Sequence, residues 1–357
     1  MRHRRSARLQ KLLSRIVPPD PALAARAQAH LDGLTKPPGS LGRLEELARR
    51  LVEITGKEPP PARRPVIFTL AGDHGVVAEG VSAYPQVVTA QMLENFLRGG
   101  AAVNVLARHA GARVVVADFG VAAPLASHPA LVARKVAPGT QNFCRGPAMT
   151  RDQAVQAIEG GIALAESEVA SGCDLIGLGE MGIGNTTAAS AITAVLTGAR
   201  IDAVTGRGTG IDEAAWERKV AIIRQALAVN RPDPADGLDV LAKVGGFEIA
   251  GLVGVVLAGA AARVPVVVDG FIAGAAALVA VTLTEAARHF LLASHCSAEP
   301  GHRVILEHLG LRPYLDLEMR LGEGTGAALA FLLIQAAVKI YAEMATFKSA
   351  GVSERQA

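Results

Sequence analysis

The chain is predicted to fold as an α/β protein built on a parallel sheet covered by helices on both faces. Three observations lead there. Short β-branched runs alternate with Gly-rich turns and helix-like stretches, as chains of βαβ units require. Half of the 357 residues are hydrophobic but only 4% are aromatic, so a large core must be assembled from Ala, Val, Leu and Ile. Charged residues make up 19% and glycines number 38, a composition that excludes a disordered chain.

Each element follows from local chemistry. Residues Pro37 to Ile54 read as a helix entered through Pro-Pro-Gly-Ser, with Ser40 as N-cap and Leu41, Leu44, Ala48 and Leu51 as an apolar stripe. Pro59-Pro60-Pro61 reads as a linker, which puts a domain boundary near residue 61. The strand runs are Val66–Leu70, Val114–Ala117, Leu175–Leu178, Val266–Val268 and Phe290–Leu292. Among the helices, Asp152–Ser171 starts at a Thr150/Gln153 capping box and stops at Gly172. A second, Thr186–Leu196, is capped by Asn185 and closed by Gly198. The final stretch, Gly326–Thr346, is apolar on nearly every side and is expected to be buried, packing with the N-terminal helices as a smaller unit.

Charge and cysteine usage narrow the function. The net charge is +3, and much of it lies in Arg2, Arg4, Arg5, Arg8, Lys11 and Arg15, read as a solvated, frayed terminus. No aromatic residue is interleaved there to stack on bases, which argues against nucleic acid. Cys144, Cys173 and Cys296 are far apart and form no C-x-x-C pair, so a reducing compartment is expected. Lys11 and Arg15 interrupt the only candidate for a signal-peptide apolar region. The uncharged stretches Ile249–Ala262 and Gly270–Thr284 are shorter than the ~20 residues of a membrane span. A soluble, cytoplasmic protein is expected, with no membrane partner. His74, His295 and His302, even with Cys296, match no zinc spacing, and no metal site is expected.

In a parallel sheet, ligands collect where strands end, and the polar and Gly residues fall there: Gly72-Asp73-His74-Gly75, Gly179-Glu180-Met181-Gly182, Asp269-Gly270 and Ser294-His295. Gly177 to Gly182 contains G-x-G-x-x-G after a strand and before a helix, whose unpaired N–H groups and dipole make an anion site. Glu180, inside that turn, would repel a pyrophosphate but suits ribose hydroxyls; a tight packed turn remains the alternative. There is no G-x-x-x-x-G-K-[ST], which disfavours P-loop chemistry. Gly206-Arg-Gly208-Thr-Gly210 is a second flexible loop, and Lys219 follows at the start of a helix; each cation reads as a phosphate partner or a solvated charge. In Leu321-Gly-Glu-Gly-Thr-Gly326, glycines unshield Glu323. Next to an apolar helix this carboxylate would have a raised pKa and suit a general base. On spacing alone it reads equally well as a turn residue favouring the helix dipole.

Taken together, these segments closely resemble the nicotinate-nucleotide–dimethylbenzimidazole phosphoribosyltransferase family, from about Leu31 to Met344. The resemblance is carried by Lys36-Pro-Pro-Gly-Ser-Leu-Gly-Arg-Leu-Glu45, Gly72-Asp-His-Gly-Val76, Gly80-Val-Ser-Ala-Tyr-Pro85, Gly179-Glu-Met-Gly-Ile-Gly-Asn-Thr-Thr187, Lys243-Val-Gly-Gly-Phe247, Asp269-Gly-Phe271, Ser297-Ala-Glu-Pro-Gly301 and Leu321-Gly-Glu-Gly-Thr-Gly326. It implies a Rossmann-like doubly wound parallel sheet over residues 61–324 and a smaller helical domain from 1–60 and 325–357. It also implies a homodimer acting on nicotinate mononucleotide and dimethylbenzimidazole, with Glu323 as catalytic base. The donor would lie beside Glu180, Met181 and Gly182, with Lys219, Asp269, Ser294 and Ser297 among the binding residues. The acceptor would lie against Tyr84 to Gln91 and Leu321. No cofactor is implied: nicotinate leaves in place of pyrophosphate, so Mg²⁺ is not required. The acceptor's identity stays open among benzimidazole, purine and phenol.

Overall fold

A computed structural model describes residues 6–353; Arg2, Arg4 and Arg5 of the basic cluster lie outside the described residues. Six strands, β1 (Pro65–Gly72), β2 (Arg113–Gly120), β3 (Leu131–Ala133), β4 (Leu175–Met181), β5 (Val266–Val268) and β6 (Leu291–Ala293), form one sheet in the order β3-β2-β1-β4-β5-β6. Every neighbouring pair is parallel. The chain winds outward from β1 to β3, returns to the centre at β4 and winds outward again to β6. The doubly wound fold is therefore as expected, with its switch point between β1 and β4.

Five of the six strands contain or overlap the predicted runs. The sixth, β3, is three half-buried or exposed residues at a sheet edge, too short to leave a period-two signal. β6 begins one residue later than expected because Phe290 closes the preceding 3₁₀ turn. Both central strands run longer than their β-branched cores. β4 continues to Met181, so Glu180 is a strand residue rather than a turn residue.

The Thr150/Gln153 box forms as read: Gln153 N donates to Thr150 Oγ1 at 3.1 Å and Thr150 N to Gln153 Oε1 at 2.9 Å, starting the helix Arg151–Ala170. Two other caps differ. The first helix after the prolines begins at Arg43, not Pro37, because Gly39 and Gly42 hold positive φ and keep residues 37–42 in turns. Ser40 makes no cap bond; Glu45 takes the Leu41 N–H at 2.9 Å and pairs with buried Lys36 at 2.8 Å. Likewise the helix Asn185–Thr197 turns in on Gly184 (φ 93°), and Asn185 donates its amide to Glu180 instead of capping.

The N-terminal region corrects the expectation of a frayed end. Ala7–Leu13 is a helix capped by Ser6, with Leu9 and Leu12 buried and Arg8 paired to Glu166 at 2.8 Å. Lys11 and Arg15 are exposed, as a solvated cluster would be.

The two uncharged stretches become the core helices Phe247–Ala261 and Phe271–Leu283, almost wholly buried. One helix among the described residues, Thr325–Glu343, is long and apolar enough to cross a membrane, and half of it is buried inside the fold. It packs on the Arg43–Thr55 and Ala102–His109 helices and beneath β4.

Helices Arg151–Ala170 and Phe247–Ala261 cross in backbone contact. A Cβ at Gly161 would overlap the Gly251 carbonyl oxygen, and one at Gly254 that of Ile158. Gly161→Ala is therefore expected to cost about 1–3 kcal/mol by overpacking, measured as a lower denaturant midpoint; an unchanged midpoint would show that the crossing yields freely.

Candidate active site

A cavity of about 510 Å³ opens at the C-terminal end of β4, beside the switch point, and is lined also by Gly270 after β5 and His295 after β6. Such crevices are where doubly wound sheets bind ligands. Glu180, Met181 and Gly182 line it from β4 and the following turn, and Leu321 and Glu323 from the loop preceding the last long helix. Glycine brings these pieces together. A Cβ at Gly182 would overlap the Gly72 carbonyl oxygen, one at Gly179 would overlap that of Glu323, and one at Gly322 would strike the Glu180 carboxylate.

Glu323 is 5% exposed and has φ 65°, between Gly322 at 82° and Gly324 at 100°. Its Oε2 accepts one long bond, 3.4 Å, from Val103 N. Burial raises its pKa above the ordinary glutamate value, only partly opposed by that bond. Glu180 is 6% exposed and receives the Asn185 amide. Burial, then the neighbouring carboxylates Asp269 and Glu248, push it up to about 8.

Asp269 does not line the cavity. It is 1% exposed beneath the Glu323 loop, where Oδ1 accepts from Gly326 N (2.6 Å) and Ala327 N (3.1 Å) and Oδ2 from Gly324 N (3.1 Å). Burial, opposed by these bonds, raises it to about 7. Ser294 also lies below, donating to the Asp269 carbonyl at 3.0 Å. Ser297 reaches the cavity wall, its N–H bonded to His302 Nδ1 at 2.9 Å.

Lys219 is the seventh residue of its helix, Glu213–Asn230, rather than at its start, and it is fully buried. Its Nζ donates to Thr186 Oγ1 (2.8 Å) and the Gly206 carbonyl (3.3 Å). Burial lowers it to about 8, opposed by the Glu299 charge. Thr186, rather than Lys219, is on the cavity wall. Tyr84 stands exposed at the mouth, while Gln91 points to solvent outside the cavity. Val88 and Met92, one turn apart on the helix Val88–Arg98, face inward instead.

Sequence reasoning missed Met92, Thr186, Glu299 and Arg320, and reached Val88 only as part of the stretch Tyr84 to Gln91. Glu299 accepts from Gly208 N at 2.9 Å and Arg320 donates to Gly208 O at 2.9 Å, pinning the Gly206–Gly210 loop over the cavity. The signal for Glu299 was its place in Ser297-Ala-Glu-Pro-Gly301. His74 is not at the surface of the site: it pairs with Glu248 at 2.6 Å, both fully buried under the floor. No three His, Cys, Asp or Glu side chains among the described residues are grouped to hold a metal ion.

A cavity at the strand ends with two buried carboxylates of raised pKa and a helix N-terminus defines an enzyme of the doubly wound, nucleotide-handling class. Comparison with known proteins makes this specific. A family model described as phosphoribosyltransferase matches residues 16–352. The nicotinate-nucleotide–dimethylbenzimidazole phosphoribosyltransferase of Chloroflexus aggregans is 58% identical over 348 residues, 98% of this chain and 99% of that protein. The same enzyme of Geobacter sulfurreducens is 58% identical, covering 97% and 98% respectively. The crystal structure of CobT from Thermus thermophilus superposes with a TM-score of 0.90 at 50% identity, covering 94% of this chain and all of that one. The chain belongs to the nicotinate-nucleotide–dimethylbenzimidazole phosphoribosyltransferase family.

The raised pKa of Glu180 has a stability consequence. A carboxyl whose pKa is higher folded than unfolded contributes stability that is present below its ordinary value near 4.5 and lost as pH rises through about 8. Between pH 6 and 9 the ligand-free protein should lose roughly 1–3 kcal/mol more stability than Glu180→Gln, read from denaturant midpoints. Parallel losses in the two proteins would contradict the assignment.

Proposed function

We propose that this chain transfers the 5-phosphoribosyl group of nicotinate mononucleotide to 5,6-dimethylbenzimidazole. The products are nicotinate and α-ribazole 5′-phosphate, the nucleotide of the cobalamin lower ligand. The observation that carries the reading is Glu323, a buried carboxylate of raised pKa, on the same cavity as Glu180 and the start of the helix Asn185–Thr197.

The chemistry fits one base. In the donor, nicotinate is already a pyridinium and leaves as a neutral ring without protonation by an acid. The azole nitrogen attacks C1′ and would become cationic; Glu323 takes the proton from the other ring nitrogen and so neutralises it. Attack opposite the leaving group turns a β linkage into an α linkage. The 5-phosphate sits at the N-terminus of the helix Asn185–Thr197, where the helix dipole favours an anion. Lys219 adds charge behind Thr186 there. Glu180 binds ribose hydroxyls, and Tyr84, Val88, Met92 and Leu321 flank the acceptor. A base contributes about 10²–10⁴-fold, and positioning supplies much of the rest.

The same reading takes residues 1–60 and 325–357 as a small helical unit beside the α/β body 61–324. It is supported by the bridge between Leu34 and Thr346 and the bond from Thr35 N to Ala345 O at 2.9 Å. It takes the enzyme to be a cytoplasmic homodimer.

Glu323→Gln is expected to keep nicotinate mononucleotide binding and lower turnover by at least about a hundredfold. Because Glu323 must be ionised to accept a proton, the rate of the parent enzyme falls as pH drops through its pKa. That acid limb should lie above the ordinary glutamate value of 4.5 and vanish from the variant's residual rate. Near-normal turnover of the variant would remove Glu323 from the role.

A further inference from the structure

Glu323 stands in the left-handed region, φ 65°, which an L side chain disfavours. Such a conformation persists only where surrounding groups over-determine it. Here two buried side chains hold the peptide group that joins Glu323 to Gly324, one at its carbonyl and the other at its N–H. The hydroxyl of Thr69 donates to the Glu323 carbonyl at 3.0 Å, and Asp269 Oδ2 accepts from the next N–H, that of Gly324, at 3.1 Å. Thr69 is 0% and Asp269 1% exposed.

Their places in the fold are complementary. The Glu323 backbone lies on the end of β4, over Gly179. Thr69 belongs to β1 and Asp269 follows β5 directly, and these are the two strands that flank β4. The Glu323 loop is thus gripped from both sides of the strand it rests on. Thr69 is the one polar side chain in β1, Pro-Val-Ile-Phe-Thr-Leu-Ala-Gly, and its hydroxyl is spent on that carbonyl. Asp269 bonds two further N–H groups, of Gly326 and Ala327, and so also fixes the first turn of the helix that carries the loop.

We propose that Thr69 and Asp269 are positioning residues for the transfer, together locking the Glu323 backbone so that its carboxylate faces the acceptor. The proposal rests on Glu323 being the base. Neither side chain touches substrate; both act through Glu323. Thr69→Val keeps strand preference and shape but leaves the carbonyl without its donor. Asp269→Asn retains an oxygen for Gly326 and Ala327 while turning an N–H toward that of Gly324.

The test is a mutant cycle, with turnover and nicotinate mononucleotide affinity measured for Thr69→Val and Asp269→Asn, each in the parent and in Glu323→Gln. A misplacement of about 1 Å can cost ~100-fold, so each single variant should lose at least about tenfold in kcat with donor affinity unchanged. In the Glu323→Gln background neither substitution should lower the residual rate further. If Asp269→Asn does not fold, Thr69→Val decides alone. Undiminished turnover, loss of donor affinity in step with kcat, or an equal loss in the Glu323→Gln background would overturn the proposal. Near-normal turnover of Glu323→Gln alone would instead overturn the base assignment beneath it.

Discussion

The backbone of Glu323 rests on the backbone of β4 at Gly179, with no room for a side chain between them. This contact joins a loop from near the C-terminus to the centre of the sheet, where the chain's winding reverses. It also brings Glu323 and Glu180 onto one cavity, since Gly322 lies against the Glu180 carboxylate. Gly324 reinforces the seating, because a Cβ there would come within 2.5 Å of Ile67 on β1. The succession of glycines in the Leu321–Gly326 segment is a steric requirement of docking a chain directly on the central strands of the sheet. The long apolar helix that follows anchors the loop from below.

The second constraint is electrostatic. Glu180, Glu248, Asp269 and Glu323 are all buried near the same point, and each must manage its charge with few cations nearby. Glu248 is paired with His74, and Asp269 is bonded by three backbone N–H groups; Asp269, Glu180 and Glu323 all have raised pKa values. Burial disfavours the charged forms of Glu180, Asp269 and Glu323 for the same reason that it lowers Lys219. A dry, acid-rich floor suits a donor whose base carries a positive charge and an acceptor that becomes cationic on attack.

Much of this was legible in the sequence because it is local. β-branched runs marked five strands, glycines marked strand ends, and the Thr150/Gln153 pair marked a helix start. What misled was competition between local partners. Ser40 and Asn185 have good capping chemistry, but positive-φ glycines beside them set the turns, and their expected roles passed to Glu45 and to a bond with Glu180. Gln91 was chosen within a matching stretch without knowledge of helix phase, and the phase turns Val88 and Met92 inward. Asp269 is conspicuous in the sequence at a strand end, yet its partners lie at residues 324–327 and not on the cavity, and no spacing pattern announces that. Thr69 gave only the weak signal of a hydroxyl in an apolar strand.

The central claim is that one carboxylate suffices to pass a phosphoribosyl group from a pyridinium to an azole with inversion at C1′. Incubating the chain with nicotinate mononucleotide and 5,6-dimethylbenzimidazole, and resolving the product by mass and anomeric configuration, tests it most directly. The account predicts stoichiometric nicotinate and a single α-linked ribazole 5′-phosphate. A β-linked product, or tight donor binding with no nicotinate released, would contradict it.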